Sequence, residues 1–407
     1  MRLSLLEEKN NLLIPTLLVL LAFFIPISVS IKSILVVVSI VALLLAPYYR
    51  QYMYYAFNTL WARAAIGLFL FVIIACLWSE APYALQYNIV DKYSKLIFLP
   101  VFAVGFIKPQ TRLWVLNSYI LTMILTCIIS VLKSKHLITF HSTDPADVFY
   151  NHIITGFMVA LGVYFAGILV LQQNMNKGLR IFYLFMIILG TYQTFFLNPG
   201  RTGYIIYGVL MSLLIVQKLP FKKALVGILG FIVAISLAYT LSPVMQNGVH
   251  LMITDIKLLK HNQADTSLGF RIQFHQYAQS LFEKHPLIGV GTGGFQYSFQ
   301  KDQPIPAWGK KLNEPHGQYW LTLAELGLVG IILFLFFIGT LFLTAFRLNQ
   351  MKPILLGLLV SFCVLSFSDT IFCYSTIGYL LILFSALCFG EIIENQKAII
   401  DQAHEYK

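Results

Sequence analysis

The stretch from residue 318 to residue 346, QYWLTLAELGLVGIILFLFFIGTLFLTAF, decides the fold. It is a long, mostly apolar run in which Glu325 is the one charged residue. A helix needs about 20 apolar residues to cross the hydrocarbon core of a membrane. In lipid, every backbone amide must be paired within the segment, so an apolar run of this length is a helix. The stretch therefore predicts a membrane-spanning helix.

Similar apolar runs follow one another along the chain, separated by short polar gaps. Of the 407 residues, 58% are hydrophobic and 11% are charged, whereas soluble domains are typically about one quarter charged. The alternating pattern of membrane strands is not seen. The sequence predicts an all-α polytopic membrane protein with about twelve transmembrane helices, at residues 12–28, 33–47, 64–78, 92–107, 113–132, 152–171, 181–197, 202–216, 224–241, 318–346, 353–367 and 371–389.

The first run is interpreted as a membrane helix that stays in the mature protein. Residues 1–11 hold two basic and two acidic residues, and no clear small-residue cleavage site follows. The cysteines all fall in apolar runs without a metal-ligand spacing, so we expect them to be small core residues. They are Cys76, Cys127, Cys363, Cys373 and Cys388.

The basic residues predict the orientation. With the N-terminus inside, the inner segments hold fifteen of the 28 basic residues and the short outer loops hold six. This bias agrees with the positive-inside rule, so both termini are expected in the cytoplasm. The predicted domains are nine membrane helices in residues 1–241, a periplasmic loop in 242–316, three membrane helices in 317–390 and a cytoplasmic tail in 391–407.

The long loop has a predicted structure of its own. Apolar residues recur at helical spacing in 249–260 and in 270–284, which predicts two amphipathic helices, and Pro286 ends the second. The glycine-rich stretch LIGVGTGGF (287–295) lacks the strand and GK[ST] of a nucleotide loop. It is interpreted as a tight turn that returns the chain to the membrane. On the helix that follows, Gly327 and Gly330 are expected to let a neighbouring helix approach closely.

The predicted orientation places eight of the nine histidines on the outer side, so the polar chemistry is concentrated on one face. His316 stands in EPHGQYWLTLAELGLVG (314–330), where the polar loop meets a membrane helix. A neutral imidazole there is a candidate general base. The alternative is an interfacial histidine without a catalytic role. Glu325, inside the same helix, is a weaker candidate, since an ionisable group in lipid needs a partner.

Two arginines are candidate anion ligands on the same face. Arg201 lies in the short loop LNPGRTGY (197–204) and Arg271 lies on the second loop helix. A guanidinium offers a planar fork that suits phosphate oxygens. The alternatives are an arginine satisfied by lipid headgroups at 201 and an ordinary exposed arginine at 271.

A metal site is not predicted. The segment HSTDPADVFYNH (141–152) brings Asp144 and Asp147 close in sequence to His141 and His152, which makes it the one candidate cluster. Neither an HExxH motif nor another Asp/Glu cluster is present, so no metal and no cofactor are expected.

As a set, these motifs resemble those of the bacterial O-antigen ligases. The resemblance is carried by His316 with Gly327 and Gly330 after it, and by the pattern from His285 to Phe295. Arg201 in PGRTGY and Arg271 ahead of the glycine-rich turn also match. The family often has Asn, Ser or Gln directly after the histidine, whereas this chain has Gly317 followed by Gln318.

The resemblance implies a fold similar to the GT-C type glycosyltransferases and an activity on the periplasmic face of the bacterial inner membrane. Such ligases move a glycan from undecaprenyl pyrophosphate to the lipid A–core oligosaccharide without ATP or metal. It implies that His316 is the base, that Arg201 and Arg271 hold the pyrophosphate, and that Gln318 is a candidate contact for the acceptor. The partners are then the two lipid-linked glycans and membrane lipids, with no nucleic acid.

Three other functions stay open from the sequence. An O-antigen polymerase would use the same donor but an acceptor on the undecaprenyl carrier, and a related ligase would glycosylate protein. A secondary transporter belongs to a different class, and usually has charges at the midplane and two repeated halves. Here the long loop occurs once, and Asp369 is the residue with a possible transport role.

Overall fold

The computed structural model describes residues 12–139, 142–173, 175–261, 263–308 and 311–405, with side chains up to residue 397. Within these ranges, the regular structure is helical and no strand is present. His141, a predicted metal ligand, lies outside the described residues. The helices are α1 (Leu13–Phe24), α2 (Val29–Leu45), α3 (Pro47–Arg50), α4 (Met53–Phe57), α5 (Leu60–Ile74), α6 (Tyr83–Gly105), α7 (Pro109–Ser134), α8 (His152–Val170), α9 (Lys177–Tyr192), α10 (Arg201–Lys218), α11 (Phe221–Leu241), α12 (Pro243–Lys260), α13 (Ser267–Lys284), α14 (Gly294–Asp302), α15 (Gln318–Ala345), α16 (Lys352–Leu365) and α17 (Ser375–Glu405).

Each of the twelve predicted apolar segments overlaps one of these helices, and the all-helical membrane class is confirmed. Among the described residues, seven helices are long and apolar enough to cross a membrane. If α2 and α3–α4, which are bent by 80° relative to each other, count as one further span, the number of such spans is eight. The helices α1 and α16 are apolar but shorter. Twelve crossings therefore stay a prediction. The seven are Leu60–Leu77, Pro109–Ser134, His152–Val170, Lys177–Leu197, Phe221–Leu241, Gln318–Ala345 and Ser375–Lys397.

Burial separates central helices from peripheral ones. In α8 and α17, 89% of the apolar window is buried against other helices, whereas in α11 only 6% is. The helix α17 packs along α6, and α8 packs between α9 and α10. On α6, next to this central helix, Lys95 is buried and Lys92 is half-buried, whereas Asp91 is exposed.

The helix α15 is interrupted at Gly327, where φ is +64°. The turn at 286–291 lies in this break and pairs with its free backbone groups. Leu328 N donates to Pro286 O over 2.8 Å, and Gly291 N donates to Glu325 O over 2.8 Å. A Cβ atom on Gly327 would lie 2.5 Å from backbone atoms of Leu287. The close approach expected at Gly327 is confirmed, but the neighbouring element is a turn and not a helix. The prediction of a continuous helix over 318–346 is wrong at Gly327.

The glycine-rich stretch is a tight turn, as the sequence predicts. Gly289, Gly291 and Gly293 all have positive φ, which L-residues with a side chain rarely adopt. The same turn contacts the end of α5, where Thr292 Oγ1 donates to Val72 O over 2.6 Å. It therefore fixes the long loop to two membrane helices at once.

The two predicted amphipathic helices of the long loop are present as α12 and α13. Phe274, Ala278 and Leu281 of α13 are buried, and α13 packs on the first half of α15. This contact holds α13 over the start of α15, next to His316.

Candidate active site

His316 lies directly before α15 in a strained backbone conformation. Its φ is +51°, in the left-handed region that non-glycine residues avoid. Such strain persists only where the surroundings hold it, and it is concentrated at functional sites. The ring of Phe274 packs at 5.9 Å from the imidazole, centroid to centroid. The His316 side chain is 29% exposed, so the ring is held in place yet reachable.

The imidazole of His316 is oriented by a buried carboxylate. Its Nδ1 atom lies 3.3 Å from Oδ1 of Asp369, whose side chain is 3% exposed. The same oxygen accepts hydrogen bonds from Thr370 N, at 3.1 Å, and from the Tyr374 hydroxyl. A carboxylate only accepts, so Nδ1 carries the proton and Nε2 keeps its lone pair. This is the arrangement of a general base with an orienting acid.

A second histidine holds the backbone of the first. His275 Nε2 donates to the His316 carbonyl over 3.0 Å. Burial lowers the pKa of His275 below its usual value, and the nearby Arg271 and His316 charges lower it further. At Gly317 a Cβ atom would lie 2.9 Å from His275 Nε2. A side chain at position 317 would therefore push His275 away from this carbonyl.

Gln318 ties the start of α15 to the turn that carries Asp369. Its backbone N–H donates to Ser366 O over 2.8 Å, and its side-chain oxygen accepts from Phe372 N over 3.2 Å. The residue is fully buried. An acceptor contact through Gln318 would require the Phe372 hydrogen bond to break, and this geometry gives Gln318 a structural role.

Arg201 is the first residue of α10 and is ion-paired in this structure. Both Nη atoms lie 3.2 Å from Oδ2 of Asp255, on α12. The side chain of Arg201 is 29% exposed and that of Asp255 is 12% exposed. The pair therefore joins the short loop before α10 to the long loop, at a place that solvent still reaches.

Arg271, in the second turn of α13, is half-buried and has no carboxylate partner within 4.0 Å among the described residues. Its charge acts on His275 and on His152, at the start of α8. His152 in turn lies against the Arg201 loop, since a Cβ atom on Gly200 would be 2.9 Å from its ring. Arg271 therefore lies near both His275, which contacts His316, and His152, which contacts the Arg201 loop.

A cavity of about 700 Å³ opens beside His316. Its wall is formed by α2, α6, the segment before His316 and the start of α17. Burial raises the pKa of Glu314, which faces this cavity, and the nearby Asp369 charge adds to the effect. Neither Arg201 nor Arg271 lines it. The charged and aromatic residues that do are Asp91, Lys92, Lys95, Tyr150, Trp308, Lys311, Glu314, His316, Tyr374 and Tyr379.

The segment that joins these features matches a known family. Residues 184–335 match the family model described as O-antigen ligase. The match covers 152 of the 407 residues and shows a segment similar to that family. That family covers O-antigen ligases and related polymerases, so the matched segment indicates an enzyme of the glycosyl-transfer kind. No curated protein sequence matches the chain.

The matched segment contains Arg201, Arg271 and His316, all of which the sequence singles out. It does not contain Asp369, which the sequence associates with transport and the structure pairs with His316. Nor does it contain Lys92 or Lys95 of the cavity lining. Asp255 and Glu314 lie within it, but no spacing rule indicated them, because their partners are distant in the chain.

Two groups of side chains are able to hold a metal ion among the described residues. Asp144, Asp147 and His152 form one group, and Glu314, His316 and Asp369 form the other, with donor atoms within 4.8 Å of one another. In the first, which the sequence indicated, His152 Nδ1 lies 3.3 Å from Asp144 Oδ2. The second shares its residues with the base of the ligase-family site. The expectation of a metal-free enzyme therefore stays a prediction.

Proposed function

We propose that the protein is an O-antigen ligase that transfers a glycan from undecaprenyl pyrophosphate to the lipid A–core oligosaccharide. The observation that carries the proposal is the His316–Asp369 pair, with Nδ1 and Oδ1 3.3 Å apart, at the edge of a large cavity. In this pair Nε2 of His316 is free to act as a base, and the adjoining cavity offers room for an acceptor sugar.

In the proposed reaction, Nε2 of His316 takes the proton of an acceptor hydroxyl. The oxygen attacks the anomeric carbon of the donor glycan, and the bond from that carbon to the pyrophosphate oxygen breaks. The pyrophosphate leaves with the bonding electrons and stays on the undecaprenyl carrier. The proton remains on His316, where the Asp369 carboxylate stabilises the imidazolium.

The leaving group develops negative charge, and we assign Arg271 and Arg201 to it. Arg271 has no ion-pair partner among the described residues, which supports a free cation ready for an anion. Arg201 is held by Asp255, and a pyrophosphate would compete with that carboxylate for the guanidinium. Binding of the pyrophosphate needs the bidentate fork of a guanidinium, so Arg201→Lys and Arg271→Lys are expected to impair transfer. The control Arg347→Lys, at an exposed position, is expected to leave transfer unchanged.

We place the reaction at the periplasmic face of the bacterial inner membrane, with both termini in the cytoplasm. Support comes from the excess of basic residues in the segments assigned to the inside, fifteen against six in the short outer loops. His316, Arg201 and Arg271 then share the outer side with the lipid-linked glycans.

The test is transfer by the purified full chain with defined undecaprenyl-pyrophosphate glycan and lipid A–core. Glycan appearing on lipid A–core supports the ligase, growth of the glycan on the undecaprenyl carrier indicates a polymerase, and consumption of neither lipid favours a transporter. His316→Ala is expected to lower the rate by about 10²–10⁴-fold. The matched control is His250→Ala, at an exposed position on α12. Normal transfer by His316→Ala would refute the assigned base.

A further inference from the structure

The cavity beside His316 has a group of lysines that the proposed chemistry does not use, and the carboxylate of Asp91 lies near them. Lys92 and Lys95 of α6 line it, and Lys32 of α2 lies next to them. Lys95 is 2% exposed and Lys32 is fully buried. All three lie outside the segment that matches the family model.

These lysines have no carboxylate partner within 4.0 Å in the described part of the chain. Lys95 Nζ donates to Phe372 O over 2.8 Å. Lys32 Nζ donates to Ser375 Oγ and lies 4.5 Å from the centre of the Tyr379 ring. Neutral contacts of this kind do not offset the cost of burying like charges side by side. Intramembrane cations without a partner commonly mark a site for an anion.

Room for the Lys95 ammonium comes from Gly378 on α17. A Cβ atom there would lie 2.4 Å from Lys95 Nζ. The ammonium is therefore kept at the cavity wall by a close fit with α17 and is not an incidental surface charge.

A second part of the cavity lining is suited to a sugar. It carries Glu314, His316 and Trp308, whose indole is half-buried between the loop and the cavity. Aromatic rings beside carboxyl and imidazole groups offer a flat apolar face together with hydrogen-bonding partners. The lining thus carries lysines together with the base, and the Lys92 charge acts on Glu314.

We infer that this cavity is the acceptor site and that Lys92 and Lys95 bind a phosphate group carried by the acceptor saccharide. The acceptor hydroxyl then faces Nε2 of His316, while the phosphate lies on the α6 side. The two arginines assigned to the donor pyrophosphate do not line the cavity, so the two anions have separate cations. The inference rests on the proposed function in naming this occupant the acceptor.

The first test measures binding and needs no transfer. The full chain, purified in detergent, is titrated calorimetrically with glucose 6-phosphate, with glucose and with inorganic phosphate. We expect glucose 6-phosphate to bind at least about tenfold more tightly than glucose, and Lys92→Gln to remove that difference. Inorganic phosphate is expected to compete for the site. The matched control is Lys260→Gln, an exposed lysine on α12 outside the cavity.

Lys95→Gln is the second variant, because an amide can still donate to Phe372 O. If it does not fold, Lys92→Gln alone decides, since Lys92 is only partly buried. Equal affinity of the wild type and Lys92→Gln for glucose 6-phosphate would overturn the inference.

The second test separates the acceptor from the donor. In the transfer assay, Lys92→Gln is expected to raise KM for the phosphorylated acceptor about tenfold, with kcat and the donor KM unchanged. A rise in the donor KM instead would overturn the inference while leaving the ligase function intact. Lysine-dependent binding of glucose 6-phosphate in a protein that transfers no glycan would refute the ligase function while supporting the anion site.

Discussion

Nδ1 of His316 lies 3.3 Å from Oδ1 of Asp369, a buried carboxylate that is 53 positions away in the chain. The oxygen is held in turn by Thr370 N and by the Tyr374 hydroxyl. Because the carboxylate is fixed before any substrate binds, the imidazole meets it in one orientation. Asp369 thereby acts through His316 as a positioning residue.

We therefore expect Asp369→Asn to lower kcat on the order of 10²–10⁴-fold with little change in KM for either lipid. An asparagine keeps the shape of the side chain but no longer stabilises the imidazolium. Initial rates at several concentrations of each substrate test this, with Asp265→Asn, at an exposed loop position, as control. A change in acceptor KM without a change in kcat would indicate a binding role for Asp369 instead.

The break in α15 gives a second prediction, which concerns stability. Gly327 has φ +64° and meets the backbone of Leu287, whereas Gly339 in the same helix has no atom within 4 Å of an added Cβ. Left-handed backbone costs a residue with a side chain about 1–2 kcal/mol, and the contact with Leu287 adds to that. Gly327→Ala is thus expected to lower the melting temperature, while Gly339→Ala leaves it unchanged or raises it.

The measurement is thermal unfolding in detergent, followed by tryptophan fluorescence. Since the turn at 286–291 positions the loop that ends at His316, Gly327→Ala should also lose transfer activity. Equal melting temperatures for Gly327→Ala and Gly339→Ala would show that the turn does not depend on this glycine.

Much of the helical fold could be predicted, because apolar length and helical spacing are local properties. The helices α12 and α13 and the turn after Pro286 follow from the same local signals. The break at Gly327 could not be predicted, because the apolar pattern continues through it. Its cause is pairing with backbone groups of the turn at 286–291, and that pairing is set by tertiary structure.

The site was predictable in part for the same reason. His316 stands out at the boundary of an apolar run, as Arg201 does. Asp255 and Asp369 do not, since the Arg201–Asp255 ion pair spans 54 positions and the His316–Asp369 hydrogen bond spans 53. A carboxylate in a polar loop or at a helix end has no signature of its own. The number of membrane crossings was also beyond the sequence, because short apolar helices such as α1 have the same composition whether or not they span.

The lowered pKa of His275 predicts a dependence of stability on pH. Burial holds this pKa below the usual 6.5, so the unfolded chain binds the proton first as the pH falls. The contribution of the neutral ring to stability is therefore complete above 6.5 and is lost as the pH falls from there toward the folded pKa. His275→Gln keeps a donor for the His316 carbonyl but does not titrate.

We expect the melting temperature of the wild type to fall more than that of His275→Gln between about pH 7.5 and about pH 5.5. His261→Gln, at an exposed position, is the matched control. Parallel curves for the wild type and His275→Gln would mean that protonation of this ring does not oppose folding.

The last prediction concerns metal ions. If Nε2 of His316 is the base, transfer needs no metal, and treatment with EDTA is expected to leave the rate unchanged within about twofold. Added Zn²⁺ is expected to inhibit, because imidazole and carboxylate ligands suit this ion and Glu314, His316 and Asp369 bring their donor atoms within 4.8 Å. Zinc bound there would occupy both His316 and Asp369, so the base would no longer accept a proton. Asp144→Asn removes a ligand of the group formed by Asp144, Asp147 and His152, so inhibition by Zn²⁺ should persist in that variant. Loss of transfer with EDTA, restored by a divalent cation, would contradict the metal-free reaction and would assign His316 to a metal centre.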